Sequence, residues 1–278
     1  HIGVISHEFG HALGLPDLYD VDYSSSGIGN WGVMSGGSWG GNGSSPWYPA
    51  HFSAWCKTTL GWVSPIVVSG GSLETLIPNV EENPVIYRMN GINNGSEYFL
   101  FENRQAIGFD QNIINSGLLI WHIDDSVGGN NSDNSNDWHR RVDLEQADGN
   151  FDLNFGANSG DPADVWPGIF NKTFFGYETV PNSAYYSQEP SGISVVNISM
   201  PDTSTWVSAI FRNLPNLAMS SSSFNETDGD FDDVPNPGET HDIEFEFFNP
   251  SSDAIYDLNM FVNSSNPYVT VINGESTL

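Results

Sequence analysis

The chain has 278 residues, of which 38% are hydrophobic, and it carries 35 acidic against 7 basic side chains, giving a net charge of −28. This negative field repels nucleic acid and anionic lipid, which are therefore excluded as partners, and it favours cations, calcium in particular. The content of 9 Trp, 10 Tyr and 17 Phe excludes a disordered acidic tail. Cys56 is the only cysteine, so no internal disulfide is expected, and no apolar run reaches the ~20 residues that span a bilayer.

The chain opens on apolar residues at helical spacing, which predicts a helix over residues 1–13. Gly14 can adopt the left-handed conformation that ends a helix, and Pro16 prevents its continuation. The helical pattern is already running at Ile2, with no capping residue before it. We therefore expect an upstream part of the protein to precede this sequence.

A metal-binding motif lies on this helix. The segment HEFGHALGLPD, residues 7–17, places two histidines four positions apart and thus on one helix face, about one turn apart. His7 and His11 are predicted to bind one zinc ion, which accepts imidazole nitrogens at about 2.0–2.1 Å. Glu8 is predicted to act as the general base on a zinc-bound water.

A zinc site of this kind needs a third protein ligand. Asp17 follows His11 by the six residues of the metzincin-like spacing HExxHxxGxx(H/D) and is the predicted ligand. His51 is the main alternative. Two further acids also precede the predicted sheet: Asp20 and Asp22. Met34, in a Gly/Ser-rich turn, stands where such enzymes place a methionine beneath the metal.

Residues 18–50 are predicted to be an ordered loop, and a short helix at about 50–60 is predicted to open at Pro49. Runs of β-branched and aromatic residues then predict strands at Pro65–Val68, Val85–Met89, Tyr98–Glu102, Leu118–Ile123, Ile193–Ile198 and Trp206–Phe211. Leu214 to Ser223 is predicted to be a linker into a second strand-rich unit. Its predicted strands are Ile243–Phe248, Ile255–Val262 and Tyr268–Val271.

Calcium sites are also predicted from the acidic residues. Four of them reproduce the 1-3-5-12 oxygen spacing of an EF-hand loop: Asp228, Asp230, Asp232 and Glu239. Because no helices flank them and Asp233 replaces the usual glycine, we predict a calcium-binding turn between strands rather than an EF-hand. A second site could draw on other acids, among which the sequence does not choose: Asp124, Asp125, Asp133, Asp137, Asp143, Glu145, Asp148, Asp161 and Asp164.

Other reactive side chains have a structural interpretation. Ser38 lies in a GxSxG sequence, but the GNGSSPW that follows cannot form the helix of a nucleophile elbow. Cys56 lies on an apolar helix face, which indicates a core residue. His122 or Tyr19 could donate a hydrogen bond to the oxyanion formed during peptide hydrolysis. The favoured interpretation of His122 is a structural histidine bonded to one of the two aspartates just after it.

Three segments of the chain resemble the M6 peptidases, the immune-inhibitor-A-like secreted metalloproteases of bacteria. These segments are HEFGHALGLPDLYD, GIGNWGVMSGGSWGG and PAHFSAWCKTTLGWVSP. The segments EYFLFENRQ, GLLIWHIDDS and VDLEQADG extend the likeness over roughly residues 1–210. The resemblance implies a zincin catalytic domain, secretion, and cleavage of internal peptide bonds in proteins.

The expected fold class is α+β, in three parts. Residues 1–62 are interpreted as the zinc-binding part of a zincin-like catalytic domain, whose upstream half and propeptide would precede this sequence. Residues 63–213 are its β-rich continuation, and residues 214–278 are the start of an Ig-like β-sandwich.

The leading functional hypothesis is a secreted zinc endopeptidase that acts on protein and peptide substrates, with Zn²⁺ and Ca²⁺ as its ions. The alternative is a non-catalytic, calcium-stabilised, β-rich binding or adhesion module that retains a relic zinc helix. The presence of Glu8 favours the enzyme, because a purely structural zinc site needs no base.

Overall fold

The computed structural model describes residues 1–92, 95–128, 136–213, 218–230, 236–248, 259–261, 270–271 and 275–277. These residues form a mixed α+β structure with few helices and many strands, in agreement with the expected fold class. The chain divides into two compact units, His1–Leu214 and Pro215–Leu278. In the described ranges, no helix has the length and apolar character needed to cross a membrane.

Two short α-helices lie at the start of the first unit: α1 spans Ile2–Ala12 and α2 spans Ala54–Thr59. Two 3₁₀ turns, Gly29–Trp31 and Gly36–Trp39, separate them. The prediction that the second helix opens at Pro49 is wrong. The backbone stays extended because the NH of His51 bonds to the Asp110 carboxylate and its carbonyl accepts from Val33, so Ser53 caps α2 instead.

The α1 helix buries its glycines rather than its apolar stripe. Ile5 and Phe9 are 62% and 60% exposed, whereas Gly3 and Gly10 are buried. A Cβ on Gly3 would lie 1.8 Å from the carbonyl oxygen of Ser38, so only glycine allows this close approach of helix and turn. The helix is therefore held by its glycine face, and its apolar stripe is exposed in this chain.

Two sheets make up the rest of the first unit. Their strands are β1 (Ile66–Val67), β2 (Gly71–Ile77), β3 (Tyr87–Met89), β4 (Glu97–Arg104), β5 (Gly117–Asp124), β6 (Val142–Leu144), β7 (Ile193–Val196) and β8 (Val207–Asn213). One sheet has the order β1-β3-β4-β5-β6 and the other β2-β8-β7. Only the β1–β3 pair is parallel among these pairings. The strands predicted between residues 65 and 211 are confirmed in outline, but β2 and β6 were missed.

The central strands β4 and β5 are buried on both faces, which explains the uninterrupted apolar runs at 98–101 and 118–121. Successive side chains alternate between two cores, because side chains on a strand point to opposite faces. Leu100 and Trp121 pack with α2 and the turn region, whereas Phe99 and Ile120 pack against the three-stranded sheet. The five-stranded sheet thus forms the support beneath the α1 region.

The second unit is described more sparsely. Its strands are β9 (Ala218–Asp228), β10 (Thr240–Phe248), β11 (Asn259–Phe261) and β12 (Glu275–Thr277), paired as β9–β10 and β11–β12 in antiparallel fashion. The linker prediction for Leu214 to Ser223 is wrong from residue 218 onward, because this serine-rich segment pairs with β10. Most of the predicted strands Ile255–Val262 and Tyr268–Val271 lie outside the described residues.

Candidate metal centre

Two histidine side chains of helix α1 lie side by side. The imidazole rings of His7 and His11 meet edge to face, and their Nε2 atoms are 3.2 Å apart. The helix ends at Ala12, and Gly14, at φ +98°, takes the left-handed conformation that reverses the chain. This reversal brings Asp17 back, so that its Oδ1 atom lies 3.0 Å from His7 Nε2 and 3.1 Å from His11 Nε2.

The tautomer of each ring follows from its outer hydrogen bond. His7 Nδ1 lies 2.9 Å from the carbonyl oxygen of Val33, and His11 Nδ1 lies 2.9 Å from that of Leu15. A carbonyl oxygen can only accept a hydrogen bond, so each Nδ1 carries the proton and donates it. In the neutral imidazoles both Nε2 atoms therefore face Asp17 as acceptors. This outer arrangement is the one that orients metal-binding histidines.

The three facing atoms suit a divalent metal ion. Two imidazole lone pairs and a carboxylate oxygen repel one another at 3.0–3.2 Å unless a cation lies among them. Tetrahedral zinc ligands at about 2.0–2.1 Å from the ion are themselves about 3.3 Å apart. The spacing and chemistry of His7, His11 and Asp17 thus fit zinc.

The other candidates for a third ligand are not part of this group. His51 lies near Lys57 and Arg104; its burial and their positive charges lower its pKa to about 4. The carboxylate of Asp20 accepts hydrogen bonds from the backbone NH groups of Asp22 and Ser25 and from the hydroxyl of Ser24. Asp22 accepts from the NH of Ser24. Of these candidates, only Asp17 forms a close donor set with His7 and His11 among the described residues.

Glu8 and Tyr19 lie beside this group. Glu8 is exposed on the helix, next to His7 in sequence. The Tyr19 ring stacks on His7 with centroids 6.3 Å apart, and its hydroxyl donates a hydrogen bond to Asp17. Burial is the largest of the effects that raise the pKa of Tyr19. The charge of Asp17 raises it further, and the smaller contributions include that of Glu8. Tyr19 therefore keeps its proton at neutral pH and remains a hydrogen-bond donor.

Met34 packs against α1 at Gly10. Its side chain is fully buried, and its sulfur would lie 2.3 Å from a Cβ placed on Gly10, between the two histidines. Its carbonyl accepts the NH of Leu18, which follows Asp17. The turn that holds Met34 therefore contacts both the helix and the returning chain.

A buried ion network supports this turn from below, and the sequence analysis missed it. Lys57 Nζ lies 2.7 Å from Glu102 Oε2, and Arg104 pairs with both Glu102 and Asp110. Arg104 also donates to the carbonyl oxygen of Trp31, two residues before the carbonyl that binds His7. Charged residues inside the apolar strand EYFLFENR were the available signal, because such residues are rarely buried unless they are paired.

The described residues include only part of the predicted calcium-binding turn. One side-chain oxygen from each of Glu226, Asp230 and Glu239 lies within 4.8 Å of the others. Asp230 and Glu239 were predicted, and Glu226 was missed because it precedes the motif. Asp228 is not part of this group, and Asp232 lies outside the described residues.

The remaining reactive side chains are structural in character. Cys56 is buried, and burial raises the pKa of its thiol to about 12. Ser38 lies in a 3₁₀ turn rather than between a strand and a helix. His122 is enclosed between Phe99 and Tyr186, and its two nitrogens contact Glu97 and Glu145. The expected aspartate partner of His122 is therefore wrong: these glutamates reach it from β4 and from the residue after β6.

Comparisons with known proteins match part of the chain. The family described as Immune inhibitor A peptidase M6, catalytic domain, matches residues 1–63. Pre-pro-metalloprotease PrtV of Vibrio cholerae serotype O1 is 47% identical over 60 residues, an overlap of 21% of this chain and 6% of that protein. Immune inhibitor A of Bacillus thuringiensis subsp. alesti is 60% identical over 42 residues, which cover 14% of this chain and 6% of that protein.

The matched segments thus span about 6% of the length of these relatives. The residues that the family matches, 1–63, contain α1, Asp17, the Met34 turn and α2. Residues 1–63 are thus similar to the catalytic domain of the M6 peptidases, the family of Immune inhibitor A.

Proposed function

We propose that the protein containing this chain is a zinc-dependent endopeptidase that hydrolyses internal peptide bonds of proteins. The observation that carries the proposal is the group formed by His7 Nε2, His11 Nε2 and Asp17 Oδ1, with atoms 3.0–3.2 Å apart. These residues would hold the ion, with Asp17 rather than His51 as the third ligand. Zinc bound there would polarise the substrate carbonyl and lower the pKa of a water molecule to about 7.

The side chains around the group have separate tasks in this proposal. Glu8 is exposed, so it can reach a bound substrate; it accepts a proton from the attacking water and passes it to the leaving amine. Val33 and Leu15 hold His7 and His11 in the tautomer that presents Nε2. Tyr19, which stays protonated, would donate a hydrogen bond to the substrate oxygen that becomes negative.

The exposed stripe of α1 belongs to the same proposal. Ile2, Ile5, Phe9 and Leu13 are 39–62% exposed on one helix. An upstream part of the zincin domain would cover such a surface in the complete protein. We further propose a secreted bacterial enzyme, in keeping with the acidic composition and the organisms of the relatives. In the second unit, Glu226, Asp230 and Glu239 are proposed as a calcium site in an Ig-like module.

The test uses the complete protein loaded with zinc and an unfolded casein substrate. Glu8→Gln should lower turnover by about 10²–10⁴-fold, the range typical of a lost general base, with unchanged zinc content. Glu74→Gln, at an exposed position in β2, is the matched control and should leave turnover unchanged. Full activity in Glu8→Gln would overturn the role of Glu8, and casein cleavage absent from the parent protein would overturn the function.

A further inference from the structure

A second group of facing oxygens lies in the first unit, between β6 and β7. One carboxylate oxygen from each of Asp148, Asp161 and Asp164 lies within 4.8 Å of the others. Asp164 is fully buried, with none of its surface exposed. A buried carboxylate normally has an ion-pair or hydrogen-bond partner for each of its oxygens.

Only one oxygen of Asp164 has such partners. Oδ2 accepts two hydrogen bonds, from Trp31 Nε1 at 2.9 Å and from the NH of Asp161 at 2.9 Å. Oδ1 is buried and has no hydrogen-bond donor among the described residues. No described lysine, arginine or histidine forms an ion pair with any of the three aspartates. The group is therefore rich in negative charge, and no described side chain supplies a compensating cation.

We propose that Asp148, Asp161 and Asp164 bind a calcium ion. The group offers oxygens alone, without histidine or cysteine, which favours a hard cation over zinc or copper. Calcium accepts carboxylates in flexible geometry, whereas magnesium requires near-octahedral ligands and retains most of its water. The sequence offered nine acids as candidates for a second calcium site, and the fold brings these three together.

The position of the group gives the ion a structural task. The Asp164 carboxylate is bonded to the Trp31 indole, and the NH of Asn30 donates to the carbonyl of Ser159 at 2.8 Å. This 3₁₀ turn leads directly to Val33, whose carbonyl orients His7. Calcium would therefore fasten the segment around residues 159–164 to the turn that supports the candidate zinc ligands, and its loss would loosen that turn.

The test measures calcium binding by the full chain. All variants carry Asp230→Asn as a common background, because this substitution weakens the acidic group of the second unit. Zinc is kept saturating throughout. Calorimetry should show one calcium ion bound, and Asp148→Asn and Asp164→Asn should each weaken binding at least ~10-fold. Terbium should report the same site through sensitised emission, because the Trp31 indole lies beside it. Glu178→Gln, which removes an exposed acid, is the matched control.

Thermal unfolding separates a calcium ligand from a purely structural aspartate. In calcium-depleted buffer, Asp164→Asn should unfold at the same or a higher temperature than the background protein, since a buried uncompensated charge is removed. In millimolar calcium the order should reverse. The proposal is overturned if calcium does not raise the unfolding temperature of the background protein, or if both aspartate variants retain that rise. It is also overturned if Asp164→Asn is destabilised equally with and without calcium. None of these outcomes depends on peptidase activity.

Discussion

Two polar clusters in the first unit have opposite charge arrangements. At the candidate metal centre, His7, His11 and Asp17 point three acceptor atoms at one another. In the network under the Trp31 turn, Lys57 and Arg104 face two acids, Glu102 and Asp110. The first cluster contains no lysine or arginine, whereas the second contains one of each.

The positive and negative charges of the second cluster compensate each other. Burial acts to raise the pKa of Glu102, but the charges of Lys57 and Arg104 lower it, so Glu102 stays ionised. Burial raises the pKa of nearby Glu81 to about 8, which keeps it neutral at pH 7. Two positive and two negative side chains therefore compensate each other. The comparison teaches that a cluster's charge balance, rather than its burial, distinguishes a metal site from a structural ion network.

The largest expected effect comes from removing Arg104 from the buried ion network. Arg104→Leu would leave Asp110 and Glu102 short of a buried partner, so we expect the free energy of unfolding to fall by about 3–5 kcal/mol. Urea unfolding at pH 7 measures the change. Arg212→Leu, at an exposed position in β8, should change stability by less than about 0.5 kcal/mol. A loss below about 1 kcal/mol at Arg104 would contradict a self-compensating network.

A smaller effect is expected at a third polar cluster, which consists of His122, Glu97 and Glu145. The charge of His122 depends on pH. Burial acts to lower its pKa, but the hydrogen bonds and charges of Glu145 and Glu97 raise it to about 9. Because the folded pKa exceeds the usual value of about 6.5, the stabilisation is complete below that pH and is lost as the pH rises through 9.

We therefore compare the chain with His122→Gln by urea unfolding from pH 6 to pH 10. The stability advantage of the parent should shrink by on the order of 1–3 kcal/mol across pH 6.5–9. A difference that stays constant with pH would show that His122 is neutral and contributes by packing alone.

The local pattern of the metal centre was predictable because its parts are close in sequence. Helical spacing fixes His7 and His11 on one face, and Gly14 fixes the turn that returns Asp17. Strands β4 and β5 were predictable from their apolar runs. In each case a short-range rule determines the outcome.

The parts that escaped prediction depend on contacts between distant residues. Strand β2 was missed because it is largely exposed and is held by pairing with β8, more than 120 residues later. The start of α2 shifted because Asp110 captures the NH of His51. The grouping of Asp148, Asp161 and Asp164 depends on the buried Trp31, far away in sequence. Spacing alone cannot reveal such partners.

The most direct test of the account is the zinc content of the purified full chain. After dialysis against buffer without chelator, elemental analysis should find one zinc per chain, and Asp17→Ala should lose it while His51→Ala retains it. Zinc absent from the parent chain, or zinc retained in Asp17→Ala and lost in His51→Ala, would contradict the assignment of His7, His11 and Asp17 as the metal ligands.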